Sequence, residues 1–485
     1  MVGIGKDDKP LSEDARPLVV GETWRRLAAK VALRGEKLQD PETDLAGFLQ
    51  PNQCAIGVKA GAEIIIHTLR QWCERHKNNT EMAALKKDKE NAFNAADEHE
   101  FLHACHEHLP GCAELAEWCY GDPVNLVYHG RLVTSYKGQQ GCPLMMPMYC
   151  VMQQKLRQLT PSASRLSIKA DYADDGIDGG SLKNRWNTLQ EEIALADRFG
   201  TKFNYDKMKL YLLAGDFFNS DNSSTDEKFR ENMDMLANFR GLGIEIDYSQ
   251  NISFMKVPIM GSQEFIDEFI QKKLHELTKT LDVLVELPNP HVAHYLLRQA
   301  AGVCKVQYFM RTTPVDMIRA LFEGFDQTQK QVFEQLVGME LDETQWTQAQ
   351  LPIKLGGCGV RSAIEGADAA YIMSRAMTLE PCQKVDRRYI SEGDTEDEIF
   401  VALGGAVRRV NMKLPPEQQL GDVGSMSCEI SDIKKKYLLL NRWVEDETAK
   451  RLHDNAMQWD KARLNSVKAP RAGAWLYKWH SKQYW

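Results

Sequence analysis

Apolar residues recur at helical spacing over 20–30 (VGETWRRLAAK) and over 60–75 (AGAEIIIHTLRQWCER), which predicts two helices. Between them the polar, proline-punctuated stretch 35–53 predicts a loop. From 81 to 178 the texture changes: short apolar runs end in turn residues and give way to helical stretches. That alternation predicts a mixed α+β region built on an antiparallel sheet. Residues 166–170 (LSIKA) read as a strand, and Ile177 begins a second one after a turn. From 271 to about 378 the pattern is helical, broken at Pro288-Asn289-Pro290 and at Pro314. An acidic, turn-rich piece at 391–398 (SEGDTEDE) predicts a linker. No internal repeat is apparent.

Composition narrows the class. Of the 485 residues, 43% are hydrophobic and 26% charged, which excludes disordered and fibrous chains. No apolar run reaches the roughly 18 residues of a membrane span, so no membrane partner is expected. The first twenty residues are charged and lack an apolar signal core. The expectation is an intracellular protein, with nucleus and cytoplasm unresolved. A net charge of -8 argues against an all-over basic coat and leaves room for a locally positive channel.

The last 54 residues, 432–485, carry 12 Lys/Arg against 6 Asp/Glu, hence net +6, leaving -14 for the rest. They also hold five of the ten tryptophans, Trp443, Trp459, Trp475, Trp479 and Trp485. Basic residues interleaved with aromatics suit backbone contact and base stacking. The alternative is a terminal helix that packs its tryptophans onto the preceding domain. Eleven cysteines include no CxxC pair. His99, His103, Cys105, His106, His108 and Cys112 sit in one amphipathic stretch, whereas structural zinc draws paired ligands from separate arms. Reduced thiols are the expectation.

The sharpest chemical signal is Asp171-Tyr172-Ala173-Asp174-Asp175-Gly176 at the predicted hairpin tip. Adjacent carboxylates raise each other's pKa unless a cation neutralises them. Oxygen-rich sites of this kind suit Mg²⁺, which keeps waters and takes further ligands from substrate phosphates. A plain acidic turn stays open as the alternative. Upstream, Asp88 falls where a short strand would end, with Phe93 five residues on. Two-metal phosphoryl transfer needs carboxylates from separate segments, and Asp88 with Asp174 and Asp175 would supply them. In Gly138-Gln139-Gln140-Gly141-Cys142-Pro143-Leu144 the glycines allow close backbone approach, and glutamine can bond a base or sugar without charge.

In this order the segments resemble the reverse transcriptases of non-long-terminal-repeat (LINE-like) retrotransposons, from Arg16 to Arg361. Seven motifs carry the likeness: RPLVVGE with Arg25-Arg26-Leu27, DKENAFN at 88–94, GQQGCPL at 138–144, YADD at 172–175, FNYDK at 203–207, FMKVPIMGS at 254–262, and LP with GGCGVR over 351–361. The resemblance implies a right-hand polymerase fold, α+β, with fingers, a palm built on an antiparallel sheet and a helical thumb, plus a helical basic C-terminal region. The corresponding boundaries are fingers 1–80, palm 81–265 (with a fingers segment around 100–150 and the primer grip at 254–262), thumb 266–380, acidic connection 381–431 and basic Trp-rich region 432–485.

Carried over by motif, the resemblance implies that Asp88, Asp174 and Asp175 hold two Mg²⁺, with Mn²⁺ as a substitute. Phe93 would be the steric gate that excludes a 2′-hydroxyl. Arg16 would contact the incoming triphosphate, Gln140 and Gly141 would line the nucleotide pocket, and Lys207 would act near the leaving pyrophosphate. Met255, Pro258 and Gly261 would belong to the primer grip. The implied partners are an RNA template, a DNA primer and dNTPs. Lys87, Glu98, Cys142 and Cys358 depart from the family pattern. They point to a domesticated or truncated copy, with neither an endonuclease domain nor a CCHC knuckle in the sequence. The expected function is RNA-directed DNA synthesis; the alternative is a non-catalytic nucleic-acid-binding scaffold of the same descent.

Overall fold

The apolar run at 82–87 forms the central strand of a five-stranded sheet. The strands are β1 (Met82–Lys87), β2 (Ile168–Tyr172), β3 (Asp175–Ser181), β4 (Lys209–Leu212) and β5 (Glu245–Asp247), in spatial order β2-β3-β1-β4-β5. A computed structural model describes residues 2–5, 15–18, 21–36, 44–128, 130–135, 137–214, 227–389, 398–420, 430–470 and 472. All pairings are antiparallel except β4–β5, which is parallel. A crossover containing the helix Glu227–Gly241 connects those two strands, as a parallel pair requires.

Both faces of the sheet are covered. Ala83 and Leu85 of β1 join Leu210 and Leu212 of β4 in one core with Leu189, Leu236 and Phe239. Those partners come from the helix Leu182–Ala196, capped by Ser181, and from Glu227–Gly241. On the opposite face, Gly179 of β3 lies under the fully buried Trp72 of the helix Gly61–His76. A Cβ at Gly179 would come within 2.5 Å of both that ring and Ile168, so only glycine admits the helix this close. A further core gathers Phe101, Met148, Tyr149 and Met152 from the helices Glu98–His108 and Met145–Gln158. The stretch expected to be a loop contains a short helix, Asp44–Leu49, whose Leu45 and Leu49 are buried in that core.

The chain divides into two compact units, residues 1–251 with 381–389, and 252–380 with 390–485. The sheet belongs to the first. The second opens with a hairpin, Ile252–Phe254 paired with Val257–Met260. Its long helices Gln263–Val285 and Val315–Val337 follow, Gly324 leaving room for Leu274. Tyr371, Ile372, Leu403 and Leu440 form a separate core in this unit, against which Trp443 packs half-buried. Trp459 is 69% exposed. Trp475, Trp479 and Trp485, and the acidic piece at 391–397, lie outside the described residues. Mixed and mostly helical, the fold agrees with the α+β expectation at that level. Among the described residues no helix is long and apolar enough to cross a membrane.

Candidate functional site

Strand register brings the two acidic segments to one edge of the sheet. β3 pairs with β1 so that Gly176 faces Lys87, and with β2 so that Asp175 faces Tyr172. Asp88 is the next residue beyond Lys87, and Asp175 the one before Gly176. The β2–β3 turn, Ala173-Asp174, projects from the same end. Asp88 is therefore the neighbour of the hairpin tip, so acids from two separate segments come to one end of the sheet.

Two more motifs reach this edge through the backbone. Asn204 N donates to Asp88 O (3.1 Å), Glu90 N donates to Lys202 O (2.8 Å), and Lys89 bridges Phe203. Lys207 closes the turn Tyr205–Lys207 just beyond and is exposed. Phe93 lies in the short helix Ala92–Ala95, its half-buried ring 4.9 Å from that of Tyr149. Asn94 Nδ2 donates to Gly138 O at 2.9 Å, tying the glutamine loop to this helix. Within the loop Gln140 is half-buried, Gly141 is exposed with a φ of +110°, and Cys142 is buried beside Tyr120. Gln139, not singled out by its sequence position, is 2% exposed, and its Nε2 has no partner among the described residues.

Beneath the edge is a buried ionic cluster that the sequence did not announce. Lys87 Nζ lies 2.7 Å from Asp178 Oδ2 and 3.1 Å from Glu192 Oε1. Arg157 spans Asp171 (2.5 Å) and Asp178 (3.1 Å), and Arg185 reaches Asp178 at 3.2 Å. Burial alone would push the Asp178 carboxyl up, but the cations of Arg157, Lys87 and Arg185 outweigh it and hold it well below the usual carboxylate range. Lys89, bonded to Gln153 Oε1 at 2.5 Å, is lowered to about 8 by burial. Burial also raises the Tyr149 hydroxyl, with the Asp174 carboxylate adding to the effect.

The remaining candidates lie elsewhere. Arg16 is on the strand Ala15–Leu18, opposite Ile4, and its side chain is outside the described residues. Met255 and Lys256 form the tip of the second unit's hairpin, both with positive φ, and Met255 O accepts from Tyr308 Oη at 3.1 Å. Pro258 is buried in the return strand, and Gly261 follows it, exposed.

Asp88, Asp174 and Asp175 would offer only carboxylate oxygens, the hard ligands that suit Mg²⁺ or Mn²⁺. Among the described residues no three His, Cys, Asp or Glu side chains are gathered closely enough to hold an ion by themselves. Mg²⁺ does not need them to be, since it keeps waters and draws ligands from phosphate. The donor chemistry fits the ion.

No family model matches the chain. Over 149 residues it is 25% identical to the SLACS 132 kDa retrotransposable element protein of Trypanosoma brucei gambiense, a match that covers 30% of this chain and 12% of that protein. The chain thus spans a small part of that relative's length. Among solved structures, apo telomerase from Candida tropicalis aligns with a TM-score of 0.34 at 10% identity, over 79% of this chain and 61% of that one. Telomerase from Candida albicans in complex with the TWJ fragment of telomeric RNA aligns with a TM-score of 0.37 at 9% identity, over 79% and 57%. With the seven ordered motifs, the SLACS match supports a reverse-transcriptase-like relationship of retrotransposon kind. It does not reach the LINE-like subdivision.

Proposed function

We propose that the chain is an RNA-directed DNA polymerase of LINE-like retrotransposon descent, extending a DNA primer on an RNA template with dNTPs. The observation that carries the reading is the shared edge of β1 and the β2–β3 turn, where Asp88 neighbours Asp174 and Asp175. Mg²⁺ held by these carboxylates would stabilise charge on the transferring phosphoryl group and activate the primer hydroxyl. The chain's own side chains would do the positioning. Phe93 would lie against the sugar and exclude a 2′-hydroxyl, and Gln140 and Gly141 would line the nucleotide. Arg16 would grip the triphosphate through its permanently charged guanidinium. Lys207 would stand near the departing pyrophosphate, and Met255, Pro258 and Gly261 would support the primer. Positioning and electrostatics of this kind account for most of phosphoryl-transfer catalysis.

A second reading is a non-catalytic nucleic-acid-binding scaffold. Cys142 favours it: the resemblance implies an aspartate at that position, and this chain has a thiol there, buried beside Tyr120. Primer extension separates the two. Purified protein given an annealed DNA primer, RNA template, dNTPs and Mg²⁺ should lengthen the primer. Duplex binding with no extension at any salt or divalent ion tried would establish the scaffold.

A further inference from the structure

Ala173 is the first residue of the two-residue turn between β2 and β3, and its φ is +57°. Tight hairpin turns favour glycine at such a position because a Cβ is disfavoured in the left-handed region. Something outside the hairpin must hold an alanine there, and the structure shows what does. Gln53, 1% exposed, takes both backbone groups of that residue: Ala173 N donates to Gln53 Oε1 at 2.9 Å, and Gln53 Nε2 donates to Ala173 O at 3.3 Å. The same Oε1 accepts from Ala55 N at 3.1 Å, which fixes the amide's orientation. The glutamine backbone is fixed too. Cys54 N donates to Asp171 O and Asp171 N to Asn52 O, both at 2.8 Å, so Gln53 forms an isolated parallel bridge with Asp171 on the free edge of β2.

We propose that Gln53 is a positioning residue that clamps the Ala173 peptide groups and so fixes where Asp174 and Asp175 present their carboxylates. The clamp deepens the polymerase reading and rests on it for its consequence, but the geometry stands without it. A side chain that bonds both the N–H and the C=O of one turn residue over-determines a conformation the turn would not keep alone. Asp174 follows directly, so its carboxyl inherits the position of the Ala173 peptide. Gln53 touches neither substrate nor ion; it acts through the turn.

The test uses the full chain, with Mn²⁺ alone as the probe. Gln53→Met keeps the volume and removes both hydrogen bonds, whereas Gln53→Glu keeps the acceptor for Ala173 N–H and removes the donor. Hydrogen exchange across 171–175 should quicken about tenfold or more in Gln53→Met and stay within roughly threefold of wild type in Gln53→Glu. Mn²⁺ affinity, read by electron paramagnetic resonance, should fall about 10–100-fold in Gln53→Met, with the KM for primer–template unchanged. A folded Gln53→Met variant with wild-type exchange and Mn²⁺ affinity would overturn the clamp. So would exchange in Gln53→Glu as fast as in Gln53→Met; if the methionine variant does not fold, exchange in Gln53→Glu more than roughly threefold faster than wild type overturns the clamp. Wild-type protein that binds no Mn²⁺ and extends no primer would refute the polymerase reading instead, while the exchange comparison still judges the clamp.

Discussion

Lys87 stands at a strand position where the resemblance implies an apolar residue, and its surroundings account for the lysine. Its neighbours on the same sheet face, Ala83 and Leu85, enter the apolar core, whereas its own ammonium meets Asp178 and Glu192. Removing one partner of a buried ion group leaves the others uncompensated, so Lys87→Met should destabilise the fold by about 3–5 kcal/mol in urea unfolding. Asp178 titrates below its unfolded value, so the stability it contributes is present above the ordinary aspartate range of about 4 and is lost as pH falls below it. Wild type should therefore lose stability in acid more steeply than Lys87→Met, as unfolding midpoints between about pH 5 and 2 would show. Phe93 makes the other prediction at this scale. Its half-buried ring rests on Tyr149, and under the proposed function trimming it to valine would open the sugar side of the site. Phe93→Val should raise ribonucleotide incorporation at least about tenfold relative to deoxynucleotide in extension assays, and unchanged sugar discrimination would count against the gate.

Among the elements, the hairpin and the strand ending at Lys87 were legible because each carries its own local pattern: alternation over 166–170, a turn of acids, and an apolar run cut off by charge. What was not legible depends on contacts distant in sequence. Gln53 bonds Ala173 from 120 residues away and sits in a stretch whose polarity reads as a loop. Arg157, Arg185 and Asp178 look like surface charges until the sheet is closed over them. The parallel β5 needed the crossover helix to be seen first. Gly179 is a case where a residue type could have served as a signal, since glycine inside a strand marks close approach of another element. Gly179→Ala should cost about 1–3 kcal/mol by driving a Cβ into Trp72, and urea unfolding with a wild-type midpoint would show that the helix can move aside.

At the scale of the whole molecule, charge is divided unevenly, with an acidic body and a 432–485 segment of net +6. Its described tryptophans divide as well: Trp443 packs on a core, as the structural alternative expected, and Trp459 stands 69% exposed. If the segment contacts nucleic acid, duplex affinity should fall steeply with salt, by roughly 10³ or more between about 50 and 200 mM if some six to ten phosphates are engaged. A flat salt response in a filter-binding titration would remove that role. Polymerisation as proposed needs Asp88, just beyond β1, and the acids of the β2–β3 turn to work together, and side-by-side extension by wild type, Asp88→Asn and Asp174→Asn tests this most directly. Each variant should bind primer–template like wild type and extend it at least about a hundredfold more slowly. Extension by Asp88→Asn at the wild-type rate would contradict the account.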